Sequence, residues 1–385
     1  MINIQDKKKC CACSACYNIC PVNAIEMVED EKGFKYPKVD MEKCINCGLC
    51  EKVCPIINEK NIENNPKAYA CYNKDEYTRI QSTSGGIFTL LAKKIIQNGG
   101  VVFGASFGQE FNIVEHSYSE NIKETAKFRG SKYLQSDIGD SYKKVKEFLM
   151  KERYVLFTGT PCQIEGLKNY LGKEYAKLYL QDIVCHGVPS PKIWREYKNY
   201  RSNDSKLTEM SFRSKKEEGW SKYHISMKFG NGKKYNTRHD KDTYIMAFLS
   251  HLALRESCTD CRFKKKNRVS DITLGDFWGI NGINPKMNDE KGTSLVVINS
   301  LKGQELFNSI KDEIIYEEVN FENAIKENPS YIYSSKTNIK SEQFFMDINN
   351  NNFDKVVNRY IKNEKKYIKI LRKIKQIVKN IKWNM

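Results

Sequence analysis

The sequence predicts an α/β (α+β) chain in three parts: a small cysteine-rich domain at residues 1–62, a larger mixed-sheet domain at 66–310 and a helical C-terminal extension at 311–385. Three observations lead to this division. Two cysteine-rich runs come first, strand and helix patterns then alternate, and the last segment has apolar residues at helical spacing. A polar, Asn-rich stretch that ends at Pro66 predicts the linker between the first two parts.

Composition limits the classes of function. The chain has 385 residues, 14 cysteines and a net charge of +17. Its lysines are spread throughout, without a basic stripe, zinc-finger spacing or RNA-binding signature, so we expect no nucleic-acid partner. No apolar stretch follows the basic N-terminus and none is long enough to cross a bilayer, so we expect a cytoplasmic protein without a signal peptide. In that compartment the cysteines indicate metal ligation rather than disulfides.

One cysteine spacing occurs twice near the N-terminus. Both runs read C-x2-C-x2-C-x3-C-P, first from Cys10 and again from Cys44. This spacing resembles that of bacterial-type two-cluster ferredoxins, in which the fourth cysteine of each run ligates the cluster of the other run. The resemblance implies two 4Fe-4S clusters, one held by Cys10, Cys13, Cys16 and Cys54 and the other by Cys20, Cys44, Cys47 and Cys50.

Zinc is the alternative metal for these eight cysteines. Zinc also takes four thiolates, but its sites usually use separated C-x2-C pairs rather than unbroken four-cysteine runs closed by proline. Cys11 fits neither run, and we expect it to be a bystander thiol. Between the runs, the pattern predicts a strand, a turn at Gly33 and a second strand.

Alternating strand and helix patterns after the linker predict a parallel or mixed sheet. A helix is expected over residues 86–97, with one of residues 82–84 as its N-cap. Its glycine-rich start is either a phosphate or flavin contact or an ordinary helix entry. Strands over 155–157 and up to Val184 each end shortly before a cysteine. Ligands in such sheets bind beyond the carboxyl ends of the strands.

Four later cysteines form a third candidate site: Cys162, Cys185, Cys258 and Cys261. Two of them follow strands and the other two form a C-x2-C pair, so together they supply four thiolates for a third 4Fe-4S cluster. A zinc site and buried, non-ligating cysteines are the alternatives. Cys71, within an apparent strand, is expected to be such a buried residue.

Six stretches of the larger domain are informative when taken together. They are STSGGIFTLL, FRGSKYLQSDIG, LFTGTPCQIEGLK, DIVCHGVPSP, FRSKKEEGW and SDITLGDFWG. In this order, over roughly residues 66–300, they resemble the coenzyme F-420 hydrogenase/dehydrogenase beta-subunit family. The resemblance implies a flavin-binding domain and an iron–sulfur oxidoreductase in which FAD joins one-electron steps to hydride transfer. It also places the third-cluster ligands on the same four cysteines.

The resemblance further implies cofactor contacts and partners. By motif, the flavin candidates are Ser84, Gly85, Gly86, Ser131, Lys132, Gly159, Thr160, Pro161, Gln163 and Asp276. Redox partners in the family include coenzyme F-420, ferredoxin and, in plants, a chlorophyll derivative. We therefore expect a ferredoxin-like or deazaflavin carrier and an organic substrate that the sequence does not name.

Two residues are candidates for roles in the reaction. Lys132 is the candidate for positive charge near a reduced flavin or its phosphates, and a surface lysine is the alternative. His186, beside Cys185, is the candidate proton donor, and a packed histidine is the alternative. No paired acid and base can be identified from the sequence.

The last segment predicts a basic amphipathic helix over residues 365–383. Apolar residues recur at helical spacing from Ile370 to Ile381, and lysines occupy the other faces. Such a helix binds an anionic membrane surface, which would make the protein peripheral at the inner face of the membrane, or a partner, or its own domain. Two functions stay open: an oxidoreductase with its own substrate, or a non-catalytic subunit that relays electrons to a partner enzyme. Some family members accompany cell-surface polysaccharide genes, so polysaccharide biosynthesis is one candidate pathway for that partner enzyme.

Overall fold

The structure is a computed structural model that describes residues 1–60, 62–348 and 352–361. The basic amphipathic helix predicted for residues 365–383 lies outside the described residues. Within the described part of the chain, no helix has the length and apolar character needed to span a bilayer.

The N-terminal region consists of a hairpin and two short helices that carry the cysteine runs. Its elements are α1 (Ala15–Ile19), β1 (Ile25–Glu29), β2 (Lys35–Val39) and α2 (Leu49–Lys52). The two strands pair antiparallel, and Gly33 between them has a φ of +84°, a left-handed conformation that favours glycine. A Cβ at Gly33 would also lie 2.5 Å from the Cβ of Lys192, so a larger residue does not fit at this predicted turn.

The larger part of the chain is built on a mixed sheet of nine strands, as predicted. The remaining strands are β3 (Lys67–Asn73), β4 (Val101–Phe107), β5 (Val114–Ser119), β6 (Ser136–Asp137), β7 (Val155–Thr158), β8 (Leu178–Ile183), β9 (Leu207–Ser214), β10 (His224–Phe229), β11 (Lys234–Arg238), β12 (Ile272–Asp276), β13 (Ser294–Ile298) and β14 (Ile314–Val319). The order in the large sheet is β14-β3-β13-β12-β8-β7-β4-β5-β6, and β9–β11 form a separate sheet. The neighbouring strands β12, β8, β7 and β4 run parallel, so their carboxyl ends lie at one edge.

Ten α-helices pack on the large sheet or on the three-stranded sheet in the described residues after the N-terminal region. They are α3 (Glu76–Gln81), α4 (Ile87–Gln97), α5 (Ser141–Met150), α6 (Pro161–Leu171), α7 (Pro191–Ser202), α8 (Thr243–Leu249), α9 (Leu301–Asn308), α10 (Phe321–Ile325), α11 (Ser341–Ile348) and α12 (353–361). On one face α4 and α9 pack against Val102 and Leu156, and on the other α5 and α6 pack against Val101 and Val155. Adjacent strand residues contact opposite layers because side chains alternate along a strand. A further core joins the three-stranded sheet to α7, α8, α11 and α12.

The N-terminal region packs directly on the layer that contains α6. Cys13 and Ala15 belong to the same apolar core as residues of α5 and α6. A Cβ at Gly166 of α6 would lie 2.8 Å from the Cβ of Cys13 and 2.9 Å from its Sγ. Glycine at this position therefore permits the close approach of the first cysteine run to the sheet domain. Asn18 Nδ2 adds a hydrogen bond to the Gly139 carbonyl at 2.9 Å.

Two local features differ from the predictions. Residues 82–84 do not cap α4, because its N-cap is Gly86 at φ +83°, while Ser82 ends α3. β14 lies within residues 311–385, where a helical extension is predicted, and it pairs with β3 at the edge of the sheet. Only the first residue of β14, Ile314, is buried, so the apolar pattern of this edge strand is weak.

Candidate functional site

Five cysteines of the N-terminal region line a first small cavity: Cys11 and the four of the predicted crossed set, Cys10, Cys13, Cys16 and Cys54. Cys16 lies on α1 and Cys54 lies two residues after α2. Contact between these two helices brings the two runs together. The fold thus places around one cavity the crossed set of cysteines that the spacing predicts.

The other four cysteines of the runs line a second cavity: Cys20, Cys44, Cys47 and Cys50. Cys20 follows α1 and Cys50 lies on α2, so each helix contributes to both cavities. The Ile2 N–H donates to Cys50 Sγ and the Ala24 N–H to Cys20 Sγ, both at 3.2 Å. Hydrogen bonds to the ligand sulfurs help to set the reduction potential of an iron–sulfur cluster. Cys47 is exposed, so this cavity opens toward solvent.

A third cavity is lined by the four later cysteines: Cys162, Cys185, Cys258 and Cys261. Cys162 lies in the first turn of α6, Cys185 follows β8, and the C-x2-C pair lies between α8 and β12. The Val188 N–H donates to Cys258 Sγ at 3.4 Å, and Thr160 Oγ1 lies 3.1 Å from Cys162 Sγ. By contrast, Cys71 is fully buried within β3, as expected for a non-ligating residue.

The chemistry of the third cavity fits a cluster. Burial raises the pKa of Cys185 to about 12, and burial is also the main cause that raises the pKa of Cys258 and of Cys261. A free thiolate is therefore disfavoured at neutral pH, whereas bound iron supplies the charge that stabilises deprotonated sulfur. Among the described residues no three His, Cys, Asp or Glu side chains converge on a point that could hold one metal ion. The four later cysteines line one cavity, and four thiols are the donor set of a 4Fe-4S cluster as well as of a structural zinc ion.

The cavities adjoin one another and a larger cleft. Cys11, expected to be a bystander, lines both the first and the third cavity, together with Ile56. Cys185 and Val188 line both the third cavity and the cleft. The first cavity, the third cavity and the cleft therefore adjoin in that order. The second cavity shares no lining residue with them and is joined to the first through α1 and α2, which carry or flank cysteines of both.

The cleft has a volume of about 710 Å³ and lies at the carboxyl ends of the parallel strands. Thr158, Ile183 and Asp276, the last residues of β7, β8 and β12, are part of its wall. Most of the predicted flavin contacts line it: Ser84, Gly86, Ser131, Lys132, Gly159, Thr160, Gln163 and Asp276. Gly85 instead packs against the backbone of β3, and Pro161 lines the third cavity.

Some of the predicted contacts have partners within the protein. Asp276 forms an ion pair with Arg213 and accepts a hydrogen bond from Trp220 Nε1 at 2.7 Å. Gln163 completes a capping box with Thr160 at the start of α6. These side chains therefore shape and stiffen the wall of the cleft.

The cleft also contains residues that the sequence does not single out. Trp278 stacks on Trp220 with ring centroids 4.7 Å apart, and Tyr223 stacks on His239 at 4.3 Å. Trp278, Tyr223 and His239 line the cleft. Trp220 and Trp278 lie in the family-like stretches FRSKKEEGW and SDITLGDFWG, so the sequence contained a signal that could have identified them. Tyr223 and His239 lie outside the six stretches, and no spacing marks them.

Unpaired polar atoms along the wall fit a polar cofactor. Within the described residues, His116 Nδ1, His186 Nε2 and Arg213 Nη2 are buried without a hydrogen-bond partner. All three residues line the cleft. The Ser131 N–H donates to Thr83 Oγ1 at 2.9 Å, which joins the segment before β6 to the loop before α4. The cleft therefore combines free polar groups with the start of a helix.

Both predicted reaction residues lie at the cleft. The His186 ring lies 5.0 Å from the rings of Phe248 and His251, and burial lowers the pKa of His186 to about 4. Lys132 Nζ donates to two backbone carbonyls at 2.8 and 2.9 Å, and burial lowers the pKa of Lys132 to about 7. At physiological pH His186 is therefore neutral, whereas Lys132 is divided between its charged and neutral forms.

Comparison with known proteins gives two matching family models. Residues 9–56 match the 4Fe-4S dicluster domain, and residues 152–324 match the C-terminal part of the coenzyme F420 hydrogenase/dehydrogenase beta subunit. No curated protein matches the sequence. A similar solved structure is a chain of the F420-reducing NiFe hydrogenase complex from Methanosarcina barkeri, with a TM-score of 0.46, 15% identity and coverage of 79% of this chain and 93% of that chain. The present chain combines a 4Fe-4S dicluster domain with a domain of the coenzyme F420 hydrogenase/dehydrogenase beta-subunit family.

Proposed function

We propose that this chain is an FAD- and iron–sulfur-dependent oxidoreductase that passes electrons between a ferredoxin-like carrier and an organic substrate. The observation that carries this proposal is the arrangement of the sites: the first cavity shares Cys11 with the third, the third shares Cys185 with the large cleft, and the second cavity lies on the same pair of helices as the first. We assign residues 1–62 to the ferredoxin domain, 66–310 to the FAD and iron–sulfur domain and 311–385 to the C-terminal extension.

Twelve cysteines are the proposed ligands of three 4Fe-4S clusters, four around each cavity. When bound, clusters exchange single electrons, and FAD exchanges electrons singly or as a hydride. The protein would hold these groups near one another and, except at Cys47, limit their contact with water. Apart from the exposed Cys47, all of the proposed ligands are buried or half-buried.

The part of the cleft at α4 suits the diphosphate of FAD. Gly86 and Ile87 line the cleft where α4 begins, and the N-cap has no side-chain hydrogen bond, so the first N–H groups of the helix are available to an anion. Arg129 and Lys132 line the same cleft and add positive charge. These residues are the proposed binding site of the diphosphate.

Aromatic residues of the cleft suit a planar redox partner. Trp278 and Tyr223 provide ring surfaces for stacking. The matching family is named for coenzyme F420 hydrogenase and dehydrogenase, so a deazaflavin is the first candidate for hydride exchange. His186 Nε2 has no partner among the described residues and is the proposed atom that holds a proton toward the bound molecule.

One surface feature favours a second function, that of an electron-transfer subunit. The second cavity opens at the exposed Cys47, and its rim includes Ile45 and Val22, which are 62% and 37% exposed. An apolar rim around a redox site suits contact with another redox protein. In this function the chain relays electrons to a partner enzyme that carries out the chemistry.

Anaerobic reduction of the reconstituted chain tests the proposal. Reduced ferredoxin or reduced coenzyme F420 is added, while absorbance follows the flavin and EPR follows the clusters. Bleaching of the flavin by reduced F420 in the isolated chain supports the oxidoreductase, and turnover only with an added partner supports the relay. A chain that binds no flavin and gives no cluster signal contradicts both.

The variant Cys185→Ser sharpens this test because Cys185 lies between the third cavity and the cleft. We expect reduced F420 to bleach the flavin of this variant normally and reduced ferredoxin to bleach it slowly or not at all. Cys71→Ala, in a buried cysteine of β3 that lines none of these cavities, is the matched control.

A further inference from the structure

Arg255 occupies the boundary between the first and third cysteine cavities. Its side chain is fully buried, at 0% exposure, and lines the third cavity. Its Nε donates to the carbonyl oxygen of Cys10 at 2.8 Å, and Cys10 lines the first cavity. One guanidinium therefore lies against two of the three proposed cluster sites.

The partners of this guanidinium are all neutral. Nη1 donates to Gln135 Oε1 and Nη2 to the Lys35 carbonyl, both at 3.0 Å, and the group lies 4.2 Å from the centre of the Tyr36 ring. In residues 1–60, 62–348 and 352–361, no carboxylate forms an ion pair with Arg255. The next residue, Glu256, is bonded to Lys32 instead, at 3.0 Å.

Other buried arginines of the protein are neutralised by carboxylates. Arg213 pairs with Asp276, and Arg268 pairs with Asp182 at 3.0 Å. A buried charge without an opposite charge is costly, so the surroundings of Arg255 lack an anion that the folded protein requires. A 4Fe-4S cluster bound by four thiolates is anionic and lies where this anion is needed.

We propose that Arg255 is the counter-charge of the first and third clusters and raises the reduction potentials of both. This inference rests on the proposed function. Reduction adds one electron to a cluster and breaks no bond, and a nearby positive charge stabilises the added negative charge. The second site lacks this charge because Arg255 neither lines its cavity nor bonds to any residue that does. Electrons that enter at the exposed second site are therefore drawn toward the boundary between the first and third sites.

Redox titration of the whole chain, followed by EPR, tests this proposal. Iron and sulfide are counted first, and then the clusters of the wild type, Arg255→Gln and Arg255→Lys are titrated. In Arg255→Gln we expect two potentials to fall, each by at least a tenfold change in the reduction equilibrium, which is 59 mV for one electron. The third potential stays unchanged, and Arg255→Lys restores most of the difference. Arg153→Gln, at a surface arginine that pairs with Glu120, is the control for general loss of charge.

A second variant keeps the guanidinium in place in case Arg255→Gln does not fold. Gln135→Glu has nearly the same shape and puts a carboxylate against Nη1, so it neutralises Arg255 without removing it. We expect the same two potentials to fall. If iron is bound and both variants leave all potentials unchanged, Arg255 is a structural residue and this inference is wrong. If the wild type binds no clusters, the proposed function fails, and the inference fails with it.

Discussion

The first two cysteine cavities and the third are built in different ways. The first two take their cysteines from two short runs whose helices, α1 and α2, lie against each other. The third takes Cys162 from the start of α6, Cys185 from the end of β8 and a pair from the connection before β12. The first kind of site depends on local turns, whereas the second exists only when the central sheet has formed. A cysteine motif therefore suffices to identify the former, whereas identifying the latter also requires the predicted strands that precede Cys162 and Cys185.

The largest expected effect separates the third site from the other two. Cys258→Ser removes one proposed ligand of the third cavity, and we expect loss of about four of about twelve irons per chain. The EPR signals of the two N-terminal clusters should persist, because none of their ligands changes. Iron analysis and EPR measure this, with Cys71→Ala as the control. An unchanged iron count in Cys258→Ser contradicts the third cluster.

A smaller effect is expected where the two kinds of site touch. Gly166→Ala places a Cβ less than 3 Å from the Cβ and Sγ of Cys13. We expect overpacking to cost about 1–3 kcal/mol and to lower the anaerobic melting temperature, with broadening of the first cluster's EPR signal. Gly282→Ala, where a Cβ meets no atom within 4 Å, is the matched control. Equal melting temperatures for the two variants would show that the contact is loose.

The affinity of the cleft for FAD is expected to depend on pH. Burial lowers the pKa of Lys132 to about 7, so Lys132 carries its charge below that pH and loses it above. Binding of an anionic cofactor favours the charged form, so FAD affinity should be constant below about pH 7 and fall by up to about tenfold per pH unit above it. Titration of the flavin-free protein with FAD at several pH values measures this.

The matched variants for this pH effect are Lys132→Arg and Lys132→Met. Arginine stays charged, so the affinity of Lys132→Arg should not fall above pH 7. Methionine has no charge, so the affinity of Lys132→Met should be low at every pH. His116, which also lines the cleft, has a pKa lowered by burial to about 4 and does not titrate in this range. The same fall in affinity in all three proteins would assign the pH effect to another group.

The smallest expected effect concerns Cys11, which lines two cavities but belongs to neither proposed ligand set. We expect Cys11→Ala to keep all of the bound iron and to change the EPR line shapes only slightly. Loss of about four irons would instead make Cys11 a ligand and require a new ligand assignment for the first or third site.

Much of this arrangement can be predicted from the sequence because cysteine spacing and strand–helix alternation are local patterns. The hairpin around Gly33 and the mixed sheet follow from them. Part of the wall of the cleft does not, because Tyr223 and His239 lie outside the six stretches and reach the wall only through the fold. That Arg255 has no carboxylate partner among the described residues likewise cannot be predicted from the sequence, because it depends on which residues the carboxylates pair with in the fold. The sequence does not predict strand β14, because an edge strand with one buried residue lacks a strong apolar pattern.

The central claim is that three cluster sites and a flavin cleft lie in series in one chain. Anaerobic purification, with iron, sulfide, zinc and flavin counted per chain, tests this most directly. The account predicts about twelve irons, about twelve sulfides and one FAD, with no zinc. About eight irons without flavin, or zinc in place of the last four irons, would contradict it and leave only the N-terminal pair of clusters.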